Sequence, residues 1–227
     1  MKRAAYPFLA IAALLAILYG RTFYLEGDKW FPLERGRWWL YDAERVVLDE
    51  QENFRVVVNN LGSYLDGSVR VFRQRWQNRR DLALTIEDGQ VLRRTGSQLS
   101  IVVPKPQDQN TWQVSSHLGL VESKTFARQD RLRIRRIPIT LEKRIAERAV
   151  NLSMPTGIFE SCLLIEGIGI THVPTDRGNS RTEVTVTTQE WFAPGIGLVR
   201  YRRDETADSP FLISGREVWS LTEFGGD

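Results

Sequence analysis

The chain has 227 residues, of which 42% are hydrophobic and seven are tryptophan, and this composition excludes a disordered protein. Lys2 and Arg3 are the only charges in residues 1–20, so the remainder carries 29 basic residues against 28 acidic ones. Such a nearly neutral body does not predict nucleic-acid binding, which requires a clustered excess of Lys and Arg. The single cysteine, Cys162, excludes an intramolecular disulfide.

An apolar run follows the basic start of the chain. Residues 4–20 carry no charge, and 17 residues are at the short end of a membrane span. The only Ala-x-Ala pattern lies too early for signal cleavage, and a later cut would place the large side chain of Leu18 at the −3 position. We therefore predict an uncleaved signal anchor, a transmembrane helix, at residues 1–24. A cleaved secretory signal and a buried core helix are the alternatives.

The basic residues at the start also predict an orientation. By the positive-inside rule Lys2 and Arg3 stay in the cytoplasm, which places the rest of the chain on the other side of the membrane. About 200 residues commonly form one domain when they are β-rich. We predict anchoring in the bacterial inner membrane, with a single antiparallel β domain at residues 25–227 in the periplasm or otherwise outside the cytoplasm.

Short β-rich segments separated by tight turns fill the first half of this domain. Asp88-Gly89 lies between two of them and suits a two-residue type I′ hairpin turn. Turns of this length join antiparallel strands, because parallel pairing requires longer crossovers. The predicted strands lie at residues 36–41, 54–58, 69–72, 84–87, 90–92 and 99–103.

Two turns that combine proline and glycine organise the second half. Proline presets φ near −65°, and glycine supplies the positive φ that follows, so Pro155-Thr156-Gly157 and Pro194-Gly195 predict tight corners. Residues 159–170 form a nearly continuous apolar run and predict a central strand. Residues 141–150 fit both periodicities, and we interpret them as mostly strand after a short helix. The fold class is therefore mainly β, a single curved antiparallel sheet that is an open half-barrel or sandwich-like.

Few side chains in the sequence are candidates for catalysis or metal binding. Cys162 lies in an apolar run with His172 ten residues later, and a buried core cysteine is the better interpretation than a catalytic thiol. His117 adds a third possible metal ligand, but three dispersed residues do not predict a zinc site. The sequence contains no P-loop, no Gly-x-Ser-x-Gly and no His-Glu-x-x-His. We predict a protein that is not an enzyme, with no catalytic residues, metal site or cofactor.

Three motifs carry a family resemblance. They are Phe31-Pro32-Leu33 followed by Gly36 and Trp38, the run from Met154 to Cys162, and the run from Trp191 to Val199. Together they resemble a group of uncharacterised bacterial exported proteins and lipoproteins with Pro-Ala-Gly-Thr-Phe-x-Cys and Trp-Tyr-Ala-Pro-Gly-Val-Gly-Leu-Val patterns. This chain has Thr156 and Ile158 where that group has Ala and Thr. The resemblance implies an envelope location and an open, curved antiparallel sheet, and it implies no activity and no catalytic residues.

These observations lead to two function hypotheses. The first is a non-enzymatic, membrane-anchored envelope protein that acts as a protein-interaction or structural accessory module. The alternative is a carrier or sensor that holds a lipid or other apolar ligand in the concave face of the sheet. The expected partners are the membrane, through the N-terminal helix, and an envelope protein, with a lipid under the alternative and no nucleic acid. The candidate ligand- or partner-binding residues, for which core packing is the competing explanation, are Trp38, Trp39, Phe159, Trp191 and Phe192.

Overall fold

The computed structural model describes residues 29–77, 81–105, 107, 110–124, 131–133, 137–174, 181–209 and 212–226. The anchor predicted at residues 1–24 lies outside these ranges. Within them, no helix has the length and apolarity needed to cross a membrane.

The described chain is built from fifteen β-strands. Alternating apolar and polar residues, the pattern typical of half-buried strands, recur along most of them. The strands are β1 (Trp38–Val47), β2 (Glu50–Asp66), β3 (Val69–Trp76), β4 (Leu82–Glu87), β5 (Gln90–Thr95), β6 (Gln98–Val103), β7 (Trp112–His117), β8 (Glu122–Lys124), β9 (Arg131–Arg133), β10 (Pro138–Met154), β11 (Gly157–Pro174), β12 (Arg181–Ala193), β13 (Gly197–Ala207), β14 (Leu212–Ile213) and β15 (Gly215–Gly225).

Twelve of these strands form one antiparallel sheet. Their order is β6-β5-β4-β3-β2-β1-β15-β13-β12-β11-β10-β7, and β14, β8 and β9 form a small second sheet. The two edge strands, β6 and β7, contact each other, so the large sheet is nearly closed. The predicted mainly β, antiparallel fold is therefore confirmed. As predicted, the large sheet is single and curved. It is closed further than the open half-barrel that was one of its two predicted forms.

The predicted turns form as the residue types require. Asp88 and Gly89 have φ of 49° and 74°, which are the two positive values of a type I′ turn between β4 and β5. Gly157 and Gly195 also have positive φ, 134° and 73°, in the turns after Pro155 and Pro194. The hairpin registers on either side follow from these turns.

The long hairpin of β10 and β11 departs from the prediction. The short helix expected near residues 141–150 is wrong, because β10 is extended from Pro138 to Met154. Its pairing with β11 shifts at three places between Ile145 and Leu152, and these irregularities produce the mixed periodicity of the sequence. The run from Cys162 to Ile165 is buried, but β11 lies third from the β7 edge of the sheet, so its predicted central position is wrong.

The sheet has one buried side and one solvated side. We call the side that carries Ala43, Trp219 and Tyr201 the inner face, and the side that carries Glu44 and Arg202 the outer face. Three apolar clusters fill the core. The first contains Trp39, Tyr41, Ala43, Val56, Val58, Phe159, Cys162, Ala193, Val199, Trp219 and Leu221. The second contains Trp30, Leu33, Leu84, Val91, Val103, Leu163, Ile165 and Phe192, and the third Leu118, Val121, Ile139, Leu141, Val173, Val184, Val186 and Leu212.

Candidate functional site

A continuous row of residues with polar groups crosses the inner face. The strand register places each member directly opposite the next, through eight neighbouring strands from β7 to β2. Gly167 alone lacks a polar side chain. In order, the members are Trp112, Lys143, Gly167, Thr188, Arg203, Glu217, Arg45 and Glu52. We call this set the polar row. Charged residues in this position are unusual, because an unpaired buried charge is costly.

At the β7 side of the row, the side chain of Lys143 passes over Gly167 and pairs with Glu190. Lys143 Nζ lies 2.6 Å from Glu190 Oε1, with side-chain exposures of 9% and 14%. A Cβ at Gly167 would lie 3.1 Å from Lys143 Cγ and 2.5 Å from Thr188 Oγ1. Glycine at this position therefore leaves the space in which the lysine side chain lies.

In the middle of the row, Arg203 and Glu205 bind the loop that follows β7 through hydrogen bonds to its backbone. Arg203 Nε donates to Glu205 Oε1 at 2.8 Å, and one of its terminal N–H groups donates to the His117 carbonyl at 2.8 Å. The fully buried Glu205 carboxylate also accepts the backbone N–H groups of Gly119, Leu120 and Val121 at 2.8–3.1 Å. This carboxylate is satisfied by several donors at once, which offsets the cost of its burial.

At the β1 and β2 side, one guanidinium joins two carboxylates. Arg45 donates from Nε and Nη2 to Glu217 Oε2 at 2.9 and 2.6 Å, and from Nη1 to Glu52 Oε2 at 3.1 Å. Its guanidinium also lies 5.1 Å from the centroid of the Phe54 ring. Glu217 Oε1 accepts the indole N–H of Trp219 at 2.9 Å. The positive charge of Arg45 is therefore compensated within the protein.

Aromatic rings lie beside this end of the polar row and form the wall of a groove. Trp219 is the centre of the group, with ring centroids 5.5 Å from Trp76 and 5.0 Å from Tyr201. Burial raises the pKa of Tyr201 to about 12, so its hydroxyl is neutral at physiological pH. The groove has a volume of about 490 Å³, within the range of about 300–1,000 Å³ typical of small-molecule sites. We call it the aromatic groove, and its lining residues are Arg45, Glu52, Phe54, Arg55, Val56, Trp76, Gln77 and Trp219.

The outer face carries an exposed aliphatic pair on β11. Ile168 and Ile170 are 52% and 56% exposed and stand opposite Thr187 and Thr185 of β12. We call these four residues the outer patch. It adjoins a shallow depression of about 680 Å³ that extends across β10 to β13, lined by residues that include Ile168 and Thr187.

Charged pairs surround the outer patch. Arg144 lies 3.2 Å from Glu166, and Arg202 and Arg216 each lie 2.7 Å from Asp204. Partial burial of Asp204 opposes its ionisation, but the hydrogen bonds from the two arginines outweigh this effect and hold its pKa below the usual range. The patch therefore has an aliphatic centre and a rim of opposite charges.

The structure separates the five aromatic residues that were candidates for binding. Trp39 and Phe159 are buried in the first cluster, and Trp191 packs against it with the Arg200 guanidinium 5.4 Å from its ring. Phe192 belongs to the second cluster. Trp38 is half-buried on the outer face, beside Gly225. They do not line one common surface.

The thiol and the imidazole considered for catalysis do not meet. Cys162 is buried, its Sγ lies 3.5 Å from the Phe159 carbonyl oxygen, and burial raises the pKa of the thiol. His172 lies on the same extended strand ten residues later, about 30 Å away at 3.3 Å per residue. Among the described residues, no three His, Cys, Asp or Glu side chains are grouped as metal ligands would be.

Sequence reasoning missed the polar row. One signal was present in β13, where Tyr201, Arg203 and Glu205 alternate with Arg202 and Asp204. Because polar residues occupy both sets of alternating positions, any packing of this strand buries some of them. The identity of the partner residues depends on the register of other strands, which no local pattern specifies.

Comparisons with known proteins give only distant likenesses. No protein-family model matches the chain, and a search of curated proteins finds no match. A crystal structure of a protein from Parabacteroides distasonis, provisionally described as a lipoprotein, aligns with a TM-score of 0.48 and 13% identity over 85% of this chain and 98% of that one. A provisionally described exported protein from Bacteroides fragilis with a YmcC-like fold aligns with a TM-score of 0.44 and 12% identity over 86% and 98% of the two chains.

Proposed function

We propose that this chain is a non-enzymatic, membrane-anchored module of the bacterial envelope that binds a protein partner through the outer patch. The observation that carries the proposal is the exposed pair Ile168 and Ile170 on a sheet whose other face is already packed. The N-terminal sequence supports the location, because a basic start followed by an uncharged apolar run is typical of an anchor with its domain outside the cytoplasm.

The outer patch has the composition of a protein-binding surface. Protein interfaces combine an apolar centre with a polar, solvated rim. Here Ile168 and Ile170 supply the centre, and the ion pairs of Arg144 with Glu166 and of Arg202 with Asp204 supply the rim. Contiguous exposed apolar side chains mark interaction surfaces more often than scattered ones do.

The alternative, a carrier of a lipid or other apolar ligand, has less support from the inner face. Trp39, Phe159 and Phe192 are packed into apolar clusters rather than arranged around an open space. The cavity between Trp39 and Trp76 has a volume of about 20 Å³, which accommodates about one water molecule. An acyl chain on the inner face would also meet the polar row, where it could not replace the hydrogen bonds of the charged side chains.

Photo-crosslinking in cells tests the partner face. A photoreactive amino acid at Ile168 or Ile170 of the full chain is expected to give a discrete protein adduct. The matched control is the same amino acid at Arg70, which is exposed on β3. A second substitution, Ile170→Asp, should remove the adduct formed from position 168. Equal adducts from positions 168 and 70, or none from the patch, would contradict the proposal.

The anchor has its own test. The intact mass of the protein and its recovery with inner membranes are expected to show the full N-terminus and membrane association. A mass that lacks about the first 20 residues would indicate a cleaved signal instead. A lipid mass that stays bound during gentle extraction would favour the carrier alternative.

A further inference from the structure

We propose that the aromatic groove is a binding site for a neutral sugar. This inference is independent of the outer patch, because the groove is lined by residues of β1, β2, β15 and the end of β3 and shares none with the patch. Three features of the groove select the ligand class. They are a fixed aromatic wall, an arginine whose charge is compensated, and polar groups beside the rings that can still form hydrogen bonds.

The aromatic wall is held in place before any ligand arrives. The partly buried Trp76 donates its indole N–H to Gln74 Oε1 at 2.9 Å, and its ring lies against Trp219. Trp219 is fixed in turn by Glu217 and Tyr201. A tryptophan that lines the groove and whose N–H is already bonded offers its apolar ring surface rather than its polar edge to a ligand. The C–H faces of a sugar ring complement such a surface, and a preformed wall lowers the entropy cost of binding.

The charges of the groove argue against an ionic ligand. Arg45 is paired with both Glu52 and Glu217, so its positive charge is already compensated before an anion arrives. Arg55, at the margin, lies 3.5 Å from Asp42. A phosphate or carboxylate would have to displace one of these partners. An alkyl chain would bury Arg45 and Glu52 without replacing their contacts with water, which is unfavourable.

A hydroxyl-rich neutral molecule satisfies both constraints. The two carboxylates use three of the five N–H groups of Arg45, which leaves two N–H donors. Gln77, at the margin of the groove, adds an amide that both donates and accepts hydrogen bonds. Hydroxyls donate and accept, so a sugar can bond to each of these groups while one of its faces covers Trp76.

Saturation-transfer NMR and tryptophan fluorescence test this assignment with the full chain in a detergent without a sugar headgroup. The probes are maltose, cellobiose and N,N′-diacetylchitobiose. At least one is expected to give saturation transfer to its ring C–H protons and a saturable fluorescence change. Trp76→Ala should weaken that binding at least about tenfold, or about 1.4 kcal/mol. Leu99→Ala, at an exposed position of β6 outside the groove, should leave it unchanged.

A second variant keeps the test decisive if Trp76→Ala impairs folding. Gln77→Ala removes an exposed amide at the margin of the groove, and a loss of affinity of several-fold is expected with an unchanged unfolding curve. The proposal is overturned if none of the three sugars binds saturably, or if binding persists unchanged in both groove variants. Saturable binding of dodecyl phosphate or of a fatty acid in the groove, and of no sugar, also overturns it.

Discussion

The ion pair between Lys143 and Glu190 gives the sharpest test of the polar row. Both side chains are almost fully buried, and the pair is 2.6 Å long. Replacing Lys143 with methionine, an unbranched side chain one atom shorter, leaves the Glu190 carboxylate without its cation. Removing one partner of a buried pair typically costs 3–5 kcal/mol, and the residual exposure of Glu190 places the expected loss near the lower limit, about 3 kcal/mol. The double variant Lys143→Met with Glu190→Met should recover most of this loss, because two apolar side chains leave no unpaired charge.

Urea unfolding followed by tryptophan fluorescence measures these differences in the free energy of unfolding. Arg144→Met is the matched control, since the neighbouring residue on β10 pairs with Glu166 on the outer face and its side chain is 65% exposed. This control should change stability by less than about 0.5 kcal/mol. The reasoning is refuted if Lys143→Met costs no more than the control. Glu190→Met is also measured alone. The reasoning is refuted as well if the double variant loses as much stability as Lys143→Met and Glu190→Met lose together, since the cost would then come from packing rather than from an unpaired charge.

Four further outcomes follow from other contacts. Gly167→Ala should lower the free energy of unfolding by about 1–3 kcal/mol, because the new Cβ overlaps Thr188 Oγ1 and the Lys143 chain. Thr188→Val should raise it by about 1 kcal/mol, since the buried hydroxyl has no partner among the described residues, and urea unfolding checks both changes. The lowered pKa of Asp204 gives stability that is present above the usual aspartate pKa of about 4 and is lost as pH falls through the lower folded value. Asp204→Asn should therefore flatten this part of an acid-unfolding curve. The Cys162 thiol should react with a disulfide reagent only as fast as the protein unfolds, which a urea series of labelling rates would show.

The sequence predicts the local part of this fold well, for physical reasons. Type I′ geometry needs two residues with positive φ, and Asp88-Gly89 is among the few pairs that accept it. Runs of β-branched and aromatic residues between such turns favour β-strands, where these side chains pack well. By contrast, the near closure of the sheet depends on the contact of β6 with β7, which is set by the accumulated curvature of twelve strands and not by any one of them.

The candidate site was less accessible to sequence reasoning. Arg45 follows Glu44 in a charged stretch, and only the alternation of β1 in its final register turns Arg45 inward toward Glu217. The sequence does not distinguish Trp39 from Trp76, yet Trp39 is buried in the first cluster and Trp76 lines the aromatic groove. Composition identifies aromatic residues, but the packing of distant strands decides which of them remain available to a ligand.

The order of strands in the sheet has a consequence for how the chain folds. The strands β1 to β6 form one continuous meander, and the strands β10 to β13 form another. The strand β15 lies between the two halves, because it pairs with β1 on one side and with β13 on the other. Until Gly215–Gly225 has been synthesised, both halves keep an unpaired edge that is open to other chains. The complete sheet therefore forms only after synthesis of this strand, and long-range pairing of this kind makes folding slow.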